Sequence, residues 1–103
     1  MKTDNKIICP VEKTLEIIGG SWKVRILSEL FTGTKRFNEL KKCVNGITQK
    51  MLTQQLRDLE NQGMINRKVY AVVPPKVEYS LTDLGMSLKP ILDAIHEWGK
   101  SHL

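Results

Sequence analysis

The segment from Ile47 to Gly63 constrains the fold most, because it carries a helix start, a single apolar stripe and a helix stop in matching positions. Leu52, Leu56 and Leu59 recur at i, i+4 and i+7, the spacing that lines one face of an α-helix. Thr48 suits the N-cap, where its hydroxyl accepts from an orphan amide of the first turn. Ile47 before it suits a hydrophobic staple against Leu52, and Gly63 suits the left-handed position that ends the helix. At about 100° per residue, the opposite face holds Lys50, Thr53, Gln54, Arg57 and Asn61, with Gln49 near the exposed N-terminal end. Such side chains read base edges: Gln pairs with adenine, Arg or Lys with guanine, and a Thr methyl touches that of thymine. A solvated surface helix would more often pair Glu with Lys at i,i+4, whereas the acid on this face, Asp58, lies on its flank.

Upstream, Phe37, Leu40 and Val44 follow helical spacing, and Asn45-Gly46 is a turn of the kind that joins two helices of a helix-turn-helix. Downstream, Met64 to Tyr70 and Val77 to Leu81 are rich in β-branched and aromatic residues, with Pro74-Pro75 breaking the run between them. The order predicts an α+β, mostly helical fold: a winged helix-turn-helix with a two-stranded wing. Lys76 near the tip, with Arg67 and Lys68 on the first strand, is expected to reach phosphates.

Charge placement points the same way. The chain carries sixteen Lys and Arg against eleven Asp and Glu, for a net +5. Residues 35 to 76 hold nine of the bases and three of the acids, so all the surplus lies on the segment expected to touch DNA. A basic membrane-surface helix would gather that charge on one element, whereas here two helices and a hairpin share it.

With 103 residues, 41% of them hydrophobic, the chain is expected to form a single domain over 1–103 with no room for a separate catalytic one. No apolar run reaches the length of a membrane span, and Ile7-Ile8 is too short for a signal peptide. The expected location is the cytoplasm, with no membrane partner.

The ends of the chain suggest assembly. Pro10 opens a helix to residue 18 with Val11, Leu15 and Ile18 on one stripe, and Gly19-Gly20 closes it. A further helix from Ser21 to Phe31 turns Trp22, Ile26, Leu27 and Leu30 inward. Thr82 is expected to cap a long helix of about four turns carrying Leu84, Leu88, Ile91, Leu92, Ile95 and Trp98, with a kink near Met86 to Pro90. One small core does not cover so much apolar stripe, so Leu15, Leu88, Ile91, Leu92, Ile95 and Trp98 are expected at a two-fold homodimer interface. Such a dimer sets two recognition helices in successive major grooves about 34–36 Å apart.

Several linked blocks resemble one family: Cys9-Pro10-Val11-Glu12 through Gly19-Gly20-Ser21-Trp22-Lys23, Lys35-Arg36-Phe37-Asn38-Glu39-Leu40, Ile47 to Arg57, Val73-Pro74-Pro75-Lys76-Val77-Glu78-Tyr79 and Leu81-Thr82-Asp83-Leu84-Gly85. Together they are similar to the HxlR-type branch of bacterial winged-helix regulators, relatives of MarR proteins, over nearly the whole chain. The resemblance implies a cytoplasmic homodimer that binds a pseudo-palindromic operator and represses or activates nearby genes. It also implies recognition-helix roles for Gln49, Lys50, Thr53, Gln54 and Arg57, and phosphate contacts for Lys35, Arg36 and Lys76. Thr34 stands where the family pattern often has Pro.

Two cysteines in a cytosolic chain do not ordinarily form a structural disulfide. Cys9 sits at the expected N-cap before Pro10, where the helix dipole favours a thiolate and reaction with oxidants or electrophiles. Some members of the resembled family sense such stress through a cysteine at this place. Cys43, beside Lys41 and Lys42, resolves such a reaction only if the fold or the dimer brings it near. The plainer alternatives are a buried small residue for Cys43 and an ordinary terminal thiol for Cys9.

Catalysis is not expected. His96 and His102 stand in the last eight residues, outside any recognisable nucleophile or carboxylate motif, and no spacing suggests a metal or cofactor. The competing function class is a winged-helix adaptor that binds nucleic acid or protein without operator specificity. RNA readers expose aromatics for stacking, whereas Trp22, Phe37 and Trp98 fall on expected core or interface stripes and only Tyr70 and Tyr79 are left for the surface.

Overall fold

Pro10 in the first turn and Gly19 just beyond the last bound helix α1, Pro10–Ile18, and α2 follows at Ser21–Leu30. The computed structural model of the chain describes residues 9–103; the Ile7-Ile8 stretch lies outside them. A two-residue strand β1, Lys35–Arg36, leads directly into α3, Phe37–Cys43. The Glu39 carboxylate accepts from the Arg36 amide at 2.8 Å, which closes a capping box at the start of α3.

Helix α4, Gln49–Asn61, starts and stops as its sequence signals predict. The Thr48 hydroxyl accepts from the Met51 amide at 3.1 Å. Gly46 in the turn before it and Gly63 after it take positive φ, +88° and +77°, which a side chain would disfavour. Arg25 on α2 braces that first turn by donating to the Asn45 carbonyl at 2.8 Å, with its guanidinium 5.0 Å from the Trp22 ring centre. Ile26, Leu27, Leu40, Leu52 and Leu59, from α2, α3 and α4, are fully buried and form the centre of the core. Each contributes about 1.5–3 kcal/mol by leaving water.

The sheet has three antiparallel strands in the order β1-β3-β2, with β2 at Ile65–Tyr70 and β3 at Lys76–Leu81. The expected two-stranded wing therefore gains a third strand. β1 is too short to show alternation in sequence, yet it pairs Lys35 with Tyr79 and Arg36 with Glu78.

The expected long C-terminal helix is two helices, α5 at Asp83–Met86 and α6 at Lys89–His102. The break falls inside the expected kink. Pro90 occupies the first turn of α6, where its missing N–H is no loss. Thr82 caps α5 by accepting from the Gly85 amide at 3.0 Å. Gly85 packs so tightly against the Met64 carbonyl that an added Cβ would collide with it. The break turns Leu88 and Leu92 into the chain's own core, each 8% exposed, which removes them from the expected dimer seam. No helix among the described residues is long and apolar enough to cross a membrane.

Candidate nucleic-acid interface

With the leucine stripe of α4 buried, its other face is presented to solvent. Gln49, Lys50, Gln54 and Arg57 are exposed and Thr53 is half-buried. Together these five line one shallow depression of about 440 Å³. The helix also has two local ties. The Thr53 hydroxyl donates to the Gln49 carbonyl at 2.9 Å, and Gln54 Nε2 donates to Asp58 Oδ1 at 3.1 Å. The second Asp58 oxygen lies 3.5 Å from Lys23 Nζ, which fastens α4 to α2.

The five basic residues expected on phosphates are divided by the two-residue period of the sheet. Arg67 pairs with Tyr79, and both line a depression of about 360 Å³ against α4 that includes Thr53 and Arg57. Lys68 and Arg36 flank Glu78 from opposite sides on the other face. Arg36 and Lys76 share a groove of about 730 Å³ between the start of α3 and the wing. Lys35 pairs with Tyr79 and is half-buried, with its ammonium donating to the Thr32 hydroxyl at 2.9 Å. Tyr79, expected at the surface, is 8% exposed because it faces α4.

Sequence reasoning missed Tyr70 and Glu78 as organisers of the wing. The Tyr70 hydroxyl donates to Glu78 Oε1 at 2.8 Å, and Lys76 Nζ lies 3.5 Å from Glu78 Oε2. The ammonium groups of Lys68 and Lys76 stand 5.0 and 4.6 Å from the centre of the Tyr70 ring. The Tyr70 hydrogen bond, with Lys76 and Arg36 nearby, holds the Glu78 carboxyl below its ordinary pKa despite desolvation. Strand alternation places Lys68 and Tyr70 on one face, but only the hairpin register shows that Lys76 and Glu78 meet them.

Cys9 is the N-cap residue of α1, exposed, with no side-chain bond to the helix amides. Cys43 is also a free, exposed thiol. The charged residues that act on it are Glu29 on α2, Lys35 and Glu39. Desolvation, then the charge and hydrogen bond of Glu29, push its thiol pKa up. Val11 and Leu15 on α1, with Ile91, Ile95 and Trp98 on α6, stay exposed in the single chain.

Residues 17–103 match the model of the family described as HxlR-like helix-turn-helix. The chain belongs to the HxlR-like family. This HxlR-like chain is 55% identical over 94 residues to the HTH-type transcriptional regulator YdeP of Bacillus subtilis, covering 91% of the chain and 73% of YdeP. Among solved structures it is similar to the reduced form of the redox regulator HypR, with a TM-score of 0.86 and 53% identity, covering 90% of the chain and 92% of HypR. The reduced form of the transcriptional regulator YodB from B. subtilis superimposes with a TM-score of 0.83 at 32% identity, covering 93% of the chain and 95% of YodB. Fold, family and relatives together place this HxlR-like chain among the winged helix-turn-helix transcriptional regulators.

Proposed function

We propose that the chain regulates transcription as a homodimer bound to a pseudo-palindromic DNA operator, reading base edges through Gln49, Lys50, Thr53, Gln54 and Arg57. The observation that carries this is their gathering in one depression on the open face of a capped helix. Lys35, Arg36, Arg67, Lys68 and Lys76 hold backbone phosphates, Arg36 and Lys76 from the groove beside the wing and Arg67 from the depression it shares with Arg57. The protein acts by binding and not by catalysis, in the cytoplasm where its DNA lies.

A second copy covers the exposed apolar side chains Leu15, Ile91, Ile95 and Trp98, and its two-fold axis spaces the recognition helices by about one helical turn of DNA. Cys9 makes the dimer responsive to oxidants or electrophiles. Its exposure at a helix N-terminus supports that role, as does the similarity to HypR, which is described as a redox regulator. At Cys43, desolvation and then the neighbouring Glu29 disfavour the thiolate, which makes it a poor nucleophile.

Fluorescence anisotropy of labelled genomic duplexes, titrated under excess random-sequence competitor, tests the reading. It predicts retained binding at certain duplexes with two chains per site. Complete loss to the competitor at every duplex contradicts it.

A further inference from the structure

Tyr70 and Lys76 face each other across the wing, and Lys68 and Glu78 form the adjacent pair on the same face. The three charged side chains converge on one ring. Lys68 and Lys76 bring their ammonium groups to 5.0 and 4.6 Å from its centre, while Glu78 accepts the ring's hydroxyl at 2.8 Å. A lysine on an exposed strand ordinarily samples many rotamers, and ordering it on a ligand costs entropy. The ring removes part of that cost for two lysines at once. The Lys76 to Glu78 separation, 3.5 Å, is longer than a close charge-assisted hydrogen bond, so Glu78 holds Lys76 by charge more than by a tight bond. Residues 71–75, the wing tip beside this cluster, are all exposed. Arg36, opposite Glu78 on the outer strand, adds a further positive charge to the cluster.

We propose that Tyr70 is a positioning residue for the wing's hold on the DNA backbone, keeping Lys68 and Lys76 set for phosphate while Glu78 stands in for that phosphate in the free protein. The inference rests on the DNA-binding reading above. When phosphate takes Lys76, Glu78 keeps its hydrogen bond to Tyr70, so the ring stays in place. Sequence reading belongs to α4 and is untouched by the exchange.

Binding of the full chain to short duplexes of random sequence, across a salt series, tests this. Tyr70→Leu is expected to weaken binding about fivefold, with Tyr70→Phe retaining most of it. In the Tyr70→Leu background, Lys68→Ala and Lys76→Ala are expected to cost less than in the native chain. Equal lysine costs in both backgrounds, or native affinity in Tyr70→Leu, would overturn the proposal. Glu78→Gln provides a second arm that keeps the ring. It is expected to tighten binding about two- to threefold, and unchanged or weaker binding refutes the stand-in role. The native chain on the same duplexes separates the two readings. If it binds them with affinity that falls as salt rises while the wing variants bind equally well, only the wing proposal fails; if it binds no duplex even at low salt, the DNA-binding reading falls with it.

Discussion

Gln54 donates its side-chain amide to Asp58 one turn further along α4, and the same carboxylate reaches back to Lys23 on α2. A side chain proposed to read a base is thus held by the acid that ties its helix to α2. Asp58→Ala is expected to free the Gln54 amide and broaden base preference at one position of each half-site. Its effect on folding is small, under about 1 kcal/mol, because the Asp58 side chain is 36% exposed and solvent screens the pair. Site selection with the variant, alongside urea unfolding, measures both effects.

Arg57 and Lys76 are expected to fail in different ways. Arg57→Ala should cost about 1–3 kcal/mol on the operator and relax preference at one base step. Lys76→Ala should weaken all sequences alike and reduce the salt slope by about one unit. Affinities for operator and random duplex over a salt series distinguish them, and equal losses on both duplexes for both variants would refute the division.

Glu78 carries a pH signature. The Tyr70 hydrogen bond, then Lys76 and Arg36, favour its carboxylate against desolvation, so its native pKa lies below the ordinary 4.5. A carboxyl with a lowered native pKa contributes stability that is complete above its unfolded value and lost as pH falls through the native one. Carboxyl NMR titration should therefore place the Glu78 midpoint below 4.5. Tyr70→Phe should move it upward by removing the leading cause.

Trp98, 58% exposed on α6, is expected to lie in the dimer seam. Trp98→Glu should shift sedimentation toward the monomer while leaving the core helices folded, since the side chain takes no part in the buried cluster. A variant that sediments as the native protein does would remove Trp98 from the seam.

Cys9→Ser should abolish the response of DNA binding to a thiol oxidant such as diamide, whereas Cys43→Ser should leave the initial reaction of Cys9 in place. An unchanged oxidant response in Cys9→Ser would dismiss Cys9 as the sensor.

The recognition helix was legible because its information is local. Thr48, the leucine stripe and Gly63 each act within one or two turns, and all three agree. The third strand was hidden because two residues show no period, and Lys35 and Arg36 are strand only by pairing with β3. Leu88 and Leu92 looked like interface on a continuous helix. The break after Met86 rotates them into the core, and the depth of a stripe cannot be read from its spacing. Arg67 and Lys68 are adjacent in sequence but sit on opposite faces, so treating them as one basic patch overlooked the pleat. Tyr70 and Glu78 needed the hairpin register, which the length and shape of the loop set.

The most direct measurement is selection of binding sites by the native chain from random duplexes, repeated with a Gln54→Ala and Arg57→Ala double variant. The account predicts an inverted repeat with half-site centres about one helical turn apart, and loss or change of that repeat in the double variant. Recovery of the same sequence by both proteins, or of no enriched sequence by the native one, would contradict base reading by α4.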